Sequence, residues 1–418
     1  MKILIHRGSN EIGGTCIQLS TKKTTILLDL GLPLSKTSKE INLSSIKVDA
    51  VLISHPHQDH FGLIDAIDPA IPVYIGELGK HLIDATRMLL SKELHCNKFI
   101  HFESWKSFQV GDFTIKPYLV DHSATDAYGF LIEAEGKLVF YSGDFRAHGR
   151  KSILFDKIVH DPPKNIDLLF MEGTMMERSN DDFSTEAAVE KKIYETTKDQ
   201  NNISFLISSS QNIDRIVSAY RACLKARKTL IIDFYTAWVL EQVKMTLTAQ
   251  NIPIHVPTME WDAISVYADF SQDKKLKENA NFFGDFRRRA YQYRIKQEKI
   301  KENPAGFLYL SKMSKSKIMN IYKQEIPINV IYSQWLGYLQ FKNTDYFGAE
   351  EMAAYRGDPQ VNFVYAHTSG HATVKDLKAF ANALKPKQLI PIHTEYSGKY
   401  KDLFDNVIEI VDGKPFEI

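Results

Sequence analysis

The clearest chemistry in this sequence lies in a short run of polar side chains, Ser54–His60. The run reads Ser-His-Pro-His-Gln-Asp-His, so three histidines and one carboxylate fall within six residues. The apolar stretch Ala50–Ile53 precedes it and predicts a buried strand with the polar cluster on the loop at its end. Imidazole and carboxylate groups are ligands that suit a zinc-type divalent ion. On an extended loop the first two histidines would point to one side and the Asp-His pair to another, which predicts two metal positions.

The run has the form His-x-His-x-Asp-His and resembles the signature of the metallo-β-lactamase superfamily. Asp29 follows the strand-like stretch Thr25–Leu28, at the place where that superfamily keeps a structural aspartate beside its metals. His122 and Asp144 also follow apolar stretches. The resemblance implies that His122 is the third histidine of the first metal and that Asp144 bridges the two metals. Rigid strand ends can hold such ligands in fixed positions.

The second half of the chain narrows the resemblance to the β-CASP nucleases, which include the ribonuclease J family. Glu172-Gly-Thr, then Ser-Gly-His ending at His371, then Pro-Ile-His ending at His393 occur in the order typical of that family. The resemblance covers nearly the whole chain and implies an α/β fold, a metallo-β-lactamase αββα sandwich with an inserted β-CASP α/β domain. It also implies that His393 binds the second metal, that His371 is the proton donor and that Glu172 orients His371.

These motifs predict a centre of two divalent ions, with zinc as the expected metal and manganese as the alternative. The ligands are His55, His57 and His122 for the first ion, Asp59, His60 and His393 for the second, and Asp144 for both. Two ions about 3.5–4 Å apart can share a water and lower its pKa, so that the hydroxide attacks phosphorus in line. His371, Glu172 and Asp59 are the residues expected to act in catalysis. The family resemblance implies a product with 5′ phosphate and 3′ hydroxyl.

The order of elements predicts an inserted domain. Strand-rich sequence runs to about Phe145, and alternating strands and helices begin after Glu172, as in a parallel α/β layer. Ligand-bearing strands return near Val361. We therefore expect the metallo-β-lactamase core at 1–194 and 346–418 and the β-CASP insertion at 195–345. Ribonuclease J usually has a further C-terminal domain used in assembly, and this sequence ends soon after the last motif, so we expect a short form and leave homo-oligomerisation open.

Composition fits a soluble cytoplasmic enzyme. The 418 residues are 44% hydrophobic, enough for sizeable cores. Three cysteines, Cys16, Cys96 and Cys223, are too few for a disulfide framework and favour a reducing compartment. No signal-peptide pattern follows Met1, and no run of about 18 apolar residues predicts a membrane span.

Inside the predicted insertion, Ser208–Arg215 lies between a strand and a helix and is similar to the ribonuclease J loop that holds a terminal 5′ phosphate. Hydroxyls and amides at a helix N-terminus can bind an anion. The candidate substrate contacts are Ser209, Ser210, Asn212, Arg215 and His367. Asp214 departs from the family, which usually has histidine there, and its carboxylate would repel phosphate unless Arg215 neutralises it. Ordinary helix capping by Ser or Asn is the alternative for the loop, and a packing role is the alternative for His367.

A basic segment, Arg287–Lys301, is a second candidate for nucleic-acid contact although the net charge is only +1. Helical spacing with interleaved tyrosines could follow a phosphate backbone and stack on bases. A solvated helix face with inward tyrosines is the alternative. The basic loop Arg146–Arg150 could likewise line the substrate cleft or lie on the surface.

The leading function is a metal-dependent ribonuclease, endo- or exonucleolytic, acting on single-stranded RNA. A DNA-processing nuclease of the same family, a hydrolase of small esters or thioesters, and an inactive RNA-binding scaffold are the alternatives. The long insertion weighs against a small substrate, which needs no clamp domain. The complete ligand set weighs against an inactive scaffold.

Overall fold

The computed structural model describes residues 1–35, 38, 40–43, 46–92, 98–179, 183–198, 202–339 and 348–418. The chain divides into two compact units, and each is described by itself. The first comprises Met1–Arg87, Lys92–Asn180 and Gly370–Ile418, and the second comprises Met88–Ser91 and Asp181–Ser369.

Two β-sheets build the first unit. The strands of the first sheet are β1 (Lys2–Arg7), β2 (Cys16–Ser20), β3 (Thr25–Leu28), β4 (Ala50–Leu52), β5 (Val73–Ile75), β6 (Phe99–His101) and β20 (Phe416–Glu417). Those of the second are β7 (Phe108–Val110), β8 (Phe113–Leu119), β9 (Tyr128–Ala134), β10 (Lys137–Tyr141), β11 (Leu168–Glu172) and β19 (Gln388–Ile392). In space the orders are β20-β1-β2-β3-β4-β5-β6 and β19-β11-β10-β9-β8-β7.

The two sheets face each other across one apolar core. Alternate residues of each strand point inward, for example Ile3 and Ile5 from β1 and Phe130 and Ile132 from β9, as the period of two in a strand requires. The unit has four helices in its described part: α1 (Gln58–Phe61), α2 (Glu77–Leu90, of which residues 77–87 belong to this unit), α3 (Ile153–His160) and α13 (Val374–Leu384).

Helices cover the outer face of each sheet. Ile83 of α2 lies in a cluster with Val51 of the first sheet. Phe155 of α3 and Phe380 of α13 lie in a cluster with Phe140 of the second sheet. The layers are therefore helix, sheet, sheet and helix, which confirms the predicted αββα sandwich.

The second unit holds one parallel sheet. Its strands are β12 (Ile203–Ile207), β13 (Thr229–Asp233), β14 (Ile264–Tyr267), β15 (Arg294–Ile295), β16 (Phe307–Ser311), β17 (Ile328–Tyr332) and β18 (Val361–Tyr365). The spatial order is β15-β14-β13-β16-β12-β17-β18, with every neighbouring pair parallel. β12, β16 and β17 are buried along their whole length, as expected for strands covered on both faces. The parallel α/β layer predicted from the sequence is thus present.

Helices alternate with these strands. They are α4 (Glu186–Thr197), α5 (Ile213–Ala226), α6 (Phe234–Ala249), α7 (Phe270–Glu278), α8 (Ala280–Phe283), α9 (Phe286–Ala290), α10 (Gln297–Glu302), α11 (Ser316–Lys323) and α12 (Ala349–Tyr355). Short 3₁₀ turns occur at Ile64–Ala66, Tyr291–Tyr293, Pro304–Gly306, Met313–Lys315, Leu336–Leu339 and Ser397–Asp402. Side-chain caps start several helices, with Asn212 capping α5 and Asp233 capping α6.

The second unit reaches further along the chain on both sides than the predicted 195–345. On the early side, α4 packs against α5. On the late side, β18 extends the parallel sheet by pairing with β17 from Ile328↔Val361 to Tyr332↔Tyr365. The predicted boundary at 345 itself falls outside the described residues. Cys16 and Cys223 are buried free thiols, and Cys96 lies outside the described residues. Within the described ranges, no helix is both long and apolar enough to cross a bilayer.

Candidate metal centre

All the predicted metal ligands lie in the first unit, in segments that follow strands. His55 and His57 follow β4, His122 follows β8, Asp144 follows β10, and His393 follows β19. Asp59 and His60 do not lie on an extended loop as predicted, because Gln58–Phe61 forms the single turn α1. That turn packs so closely that a Cβ on Gly31 would stand 1.7 Å from the Asp59 carbonyl oxygen, so only glycine fits there.

Three histidines converge at the first position. His55 Nε2 lies 3.1 Å from His57 Nδ1, and His122 Nε2 lies 3.3 Å from the same His57 atom. Tetrahedral coordination with zinc–nitrogen bonds of about 2.0–2.1 Å places two ligand nitrogens about 3.3 Å apart. The spacing of this trio therefore fits a zinc-type ion.

A mixed set of ligands forms the second position. His393 Nε2 lies 3.3 Å from Asp59 Oδ2, and His60 Nε2 lies 3.9 Å from the same oxygen. His60 Nε2 is buried without a hydrogen bond, as expected of a nitrogen whose lone pair is reserved for a ligand. The residue set suits a divalent ion of the zinc or manganese type.

Asp144 lies between the two positions. Its Oδ2 is 3.1 Å from His60 Nε2 and 3.8 Å from His55 Nε2, and its Oδ1 is 3.7 Å from His393 Nδ1. One carboxylate therefore faces ligands of both sets. This placement fits the predicted bridging role.

The histidines are oriented by their outer ring nitrogens. Four pairs carry this orientation: His55 Nδ1 with Ser54 Oγ at 3.0 Å, His60 Nδ1 with Asp29 Oδ2 at 2.7 Å, His122 Nδ1 with the Gly370 carbonyl at 2.6 Å, and His393 Nδ1 with Thr174 Oγ1 at 2.9 Å. We assign the proton to Nδ1 in each case, because each partner can accept it. The Nε2 lone pairs then point at the centre, which is the usual arrangement of metal-binding histidines.

Asp29 is a hub for this outer layer. It is fully buried, with a left-handed φ of +58°. The Ser54 amide donates to its Oδ1 at 2.6 Å, and the Ser54 hydroxyl donates to its Oδ2 at 2.7 Å. The Tyr141 hydroxyl donates to the same Oδ2. Asp29, the predicted structural aspartate, therefore holds the His60 ring in place.

Burial keeps the first trio neutral. Desolvation lowers the pKa of His57 from 6.5 to about 4, although its surface is only partly covered. Desolvation, reinforced by the neighbouring imidazoles, also lowers the pKa values of His55 and His122 well below 6.5. A neutral imidazole is the form that binds a metal ion.

At the second metal position, the charges of neighbouring groups outweigh the effect of burial on the pKa values. Burial opposes the charged form of His60, but the carboxylates of Asp144, Asp29 and Asp59 outweigh it and raise the pKa of His60. Burial would raise the pKa of Asp144, yet the imidazoles of His393 and His60 lower it well below 3.8. The pKa of Asp59 is lowered for the same reason. Both carboxylates are therefore ionised and able to bind a cation.

His371 and Glu172 form a pair beside the bridging carboxylate. His371 Nδ1 lies 3.2 Å from Glu172 Oε1 and 3.7 Å from Asp144 Oδ2. Glu172 is fully buried and accepts backbone N–H groups from Phe145, Thr174 and Ala372 at 3.0–3.3 Å. Burial opposes the charged form of His371, but the Glu172 and Asp144 carboxylates outweigh it and raise the pKa of His371.

The phosphate contacts predicted in the second unit need correction at Arg215. Arg215 is fully buried, and its Nε and Nη2 donate to Glu186 at 3.2 and 3.1 Å, so it cannot neutralise a phosphate at the surface. Asn212 Oδ1 accepts the Arg215 amide at 3.1 Å, which is the helix cap foreseen as the alternative. Ser210 is buried and accepts from Thr236 Oγ1 at 2.8 Å.

The other two predicted contacts have different surroundings. Ser209 is exposed, and its hydroxyl accepts the Gln211 amide at 3.2 Å. His367 is partly buried, and its Nδ1 lies 3.2 Å from the Ser333 carbonyl oxygen. Of the two, Ser209 has the side chain that solvent reaches more.

The basic segment Arg287–Lys301 is not one helix, which corrects the predicted helical spacing. It contains α9, a 3₁₀ turn, β15 and α10. Three of its arginines are paired: Arg287 with Asp273 at 2.7 Å, Arg288 with Asp285 at 2.9 Å, and Arg289 with Asp285 at 2.9 Å and with Glu241. Tyr291 donates to Asp273 at 2.8 Å and packs on Phe234. The charges of these three arginines are offset locally, which favours the alternative of an ordinary protein surface for this part of the segment.

Two residues that orient the centre were missed in the sequence. Thr174 contacts His393, and its amide donates to Glu172 at 3.0 Å; its place in the Glu-Gly-Thr motif was a usable signal. Tyr141 contacts Asp29 from a position 112 residues later in the chain, and no local pattern marks that pairing.

Comparison with known proteins agrees with the geometry. The β-lactamase superfamily domain model matches residues 25–231, and the model described as "Zn-dependent metallo-hydrolase RNA specificity domain" matches residues 360–406. The chain is 24% identical to ribonuclease J of Mycoplasma genitalium over 94% of this chain and 68% of that protein. It is 21% identical to ribonuclease J of Helicobacter pylori strain B128 over 95% of this chain and 56% of that protein.

A solved structure shares the fold over its whole length. A crystal structure of a protein of unknown function from Enterococcus faecalis V583 superposes with a TM-score of 0.73 at 20% identity, over 99% of both chains. At this identity the likeness establishes the fold alone.

We expect the purified protein to contain close to two divalent ions per chain, because two ligand sets share Asp144. His57→Ala removes the nitrogen that contacts both other members of the first trio. The metal content of this variant should therefore fall to about one ion per chain. Elemental analysis after dialysis measures this, with the exposed His160→Ala as the control. Finding no metal after reconstitution with zinc or manganese would contradict the assignment.

The free energy of unfolding of the metal-free protein should fall as the pH is lowered from 6.5 towards 4. Desolvation holds the pKa values of His57, His55 and His122 below 6.5 in the folded state. In this interval the unfolded chain therefore binds protons that the folded chain does not, which favours unfolding. Urea unfolding at several pH values measures the slope.

Two histidines with raised pKa values, His60 and His371, do not cancel this slope. Below 6.5 they become protonated in both states, so their stabilising contribution is then constant. His57→Gln should reduce the slope, and His160→Gln should leave it unchanged. An identical slope in both variants would argue against a neutral, desolvated trio.

Proposed function

We propose that this chain, a metallo-β-lactamase-fold protein of the β-CASP, ribonuclease J-like type, is a metal-dependent ribonuclease that hydrolyses phosphodiester bonds in RNA. One observation carries the proposal: the Asp144 carboxylate faces members of both ligand sets, His55 of the first and His60 of the second, and His371 of the His371–Glu172 pair lies 3.7 Å from that carboxylate. Nucleophile activation and protonation of a leaving oxygen can then occur in one site. The curated relatives named ribonuclease J, and the RNA specificity domain model, support RNA as the substrate.

Two bound divalent ions would supply a water of lowered pKa and stabilise charge on the phosphoryl oxygens. His55, His57 and His122 would hold the first ion, Asp59, His60 and His393 the second, and Asp144 both. Asp59 presents an ionised carboxylate at the second position, with its Oδ2 3.3 Å from His393 Nε2, a spacing that suits two ligands of one ion. Zinc is the metal we expect, with manganese as the alternative.

The chain's own acid is His371. Its Nδ1–H donates to Glu172 Oε1 at 3.2 Å, so Nε2 is the ring atom that would carry the transferable proton. The raised pKa of His371 keeps the imidazolium populated near neutral pH, where a general acid is most effective. The proton passes to the leaving 3′ oxygen. This assignment yields a 3′ hydroxyl and a 5′ phosphate as products.

We also infer that the substrate is single-stranded and that the protein acts in a reducing compartment, the cytoplasm. A single strand can bring an isolated phosphodiester to a recessed metal pair without unwinding a duplex. The buried thiols Cys16 and Cys223 are unpaired, which supports the compartment.

Hydrolysis of labelled oligonucleotides tests the function directly. We expect cleavage of single-stranded RNA that stops with a chelator and returns with zinc or manganese, and 5′-phosphorylated products on mass spectrometry. Single-stranded DNA, a thioester and a lactone are the parallel substrates. Cleavage of DNA alone would indicate a DNA-processing nuclease, ester cleavage alone would indicate a small-molecule hydrolase, and RNA binding without cleavage would indicate a scaffold.

His371→Ala should lower turnover of RNA by about 10²–10⁴-fold, the usual contribution of a general acid, while metal content stays near two ions. Glu172→Gln should lower turnover by about 10–100-fold, as for other partners that orient a functional histidine. The exposed His255→Ala is the matched control. Loss of metal in His371→Ala would instead make His371 a ligand, and the proton-donor role would be wrong.

A further inference from the structure

A buried ion pair connects two of the ligand-bearing loops. Asp121 directly precedes His122, and Arg146 follows Asp144 by two residues. Both side chains are fully buried, and Arg146 is among the largest fully buried side chains of the described residues. Arg146 Nε lies 3.4 Å from Asp121 Oδ1. Neither residue was assigned a role in metal binding or catalysis.

Several contacts tie the same two segments together. The Arg146 amide donates to the Asp121 carbonyl oxygen at 2.7 Å. The Gly149 amide donates to Asp121 Oδ2 at 2.8 Å. Lys151 Nζ donates to the carbonyl oxygen of His122 at 3.2 Å and to that of Ala124 at 3.4 Å. The loop after β10 therefore contacts the loop after β8 through main chain and side chains alike.

Gly149 shows how closely this arrangement is packed. A Cβ at Gly149 would lie 2.4 Å from Arg146 Nε and Nη2 and 2.5 Å from Asp121 Oδ2. Its φ is not in the left-handed region, so the requirement for glycine is steric. Any side chain there would push the pair apart.

The topology explains why a connection is needed. β8 and β10 are not neighbours, because β9 lies between them in the sheet. Strands two places apart are separated by roughly 9.5 Å. His122 and Asp144 nevertheless have to serve one metal centre, and the sheet's own hydrogen bonds do not fix the distance between their loops. The contacts of Asp121 and Arg146 span that gap.

A general stabilising role explains the pair less well. Burying two charges costs desolvation energy, so a buried ion pair is weak evidence of net stability, whereas removing one partner is strongly destabilising. The Arg146 guanidinium binds the Asp121 carboxylate, with Nε 3.4 Å from Oδ1, and an apolar side chain could not reproduce that contact. Such a pair fixes the position of the loop after β10 relative to the loop after β8.

We propose that Asp121 and Arg146 are positioning residues, which set the distance between His122 of the first metal and the bridging Asp144. The proposal rests on the metal centre of the proposed function. Its consequence is specific: disturbing the pair weakens the first metal position, although neither residue is a ligand.

The experiment measures metal affinity rather than turnover. Metal-free protein is titrated with Co²⁺ and with Zn²⁺ in competition with a chromogenic chelator, and the visible spectrum of bound Co²⁺ is recorded. Asp121→Asn and Arg146→Met should each weaken the first ion about 10–100-fold, as outer partners of ligands usually do, and change the Co²⁺ spectrum. The double variant should bind no more weakly than the worse single variant, because the two residues act as one unit.

Matched controls separate positioning from folding stability. Arg87 and Asp65 form another Arg–Asp pair in the first unit, on α2 and a 3₁₀ turn, so Arg87→Met and Asp65→Asn should lower the melting temperature without changing Co²⁺ affinity. Gly149→Ala alters no charge and should weaken the first ion as well. Gly357→Ala is its control, because a Cβ there meets nothing within 4 Å. If Arg146→Met does not fold, Gly149→Ala and Lys151→Gln carry the test.

The outcomes are distinguishable. Wild-type protein that binds no divalent ion would overturn the metal centre and with it the proposed function. Wild-type protein that binds two ions while Asp121→Asn and Gly149→Ala bind them equally well would overturn the positioning pair alone. Additive losses in the double variant would also overturn it.

Discussion

The carboxylate of Asp144 is almost completely buried among histidine rings that arrive from separate loops, and the first unit is arranged around that contact. A buried carboxylate is costly unless positive charge or hydrogen-bond donors surround it. In the metal-free protein, the His60 imidazole lies 3.1 Å away and is that partner, because the surrounding carboxylates raise its pKa. A bound divalent ion would take the place of its Nε2 proton. The convergence of loops from both sheets at one edge of the sandwich makes the contact possible.

The strain of this convergence is visible in the backbone. Asp29 and His393 both have left-handed φ values, +58° and +51°, which for residues other than glycine cost about 1–3 kcal/mol. Each is held by several bonds: the Asp29 amide donates to the Leu52 carbonyl oxygen at 2.8 Å, and the His393 amide donates to the Gly8 carbonyl oxygen at 2.7 Å. The fold tolerates unfavourable conformations at the two residues that turn the chain into the centre.

Several arginines of this chain form ion pairs with carboxylates of the same chain. Arg215 in the second unit and Arg146 in the first are fully buried with carboxylate partners, and the arginines of 287–289 are paired at the surface. With a net charge of +1, clusters of Lys and Arg in this chain do not by themselves define a path for a phosphate backbone. Their partners decide whether they are available.

The sequence by itself determined the ligand set, because histidine and carboxylate at the ends of apolar runs have few other uses and each motif could be recognised within a few residues. It also determined the strand–helix alternation of 203–249, where periodicity is strong. Tertiary structure alone decided which charged side chains are paired within the protein. Arg215 meets Glu186 from 29 residues away, Arg289 meets Glu241 from 48, and Tyr141 meets Asp29 from 112. Such pairings depend on how elements pack, which no local pattern encodes. For the same reason the turn at Asp59 and His60, and the buried pair of Asp121 and Arg146, became apparent only when the strands were placed side by side.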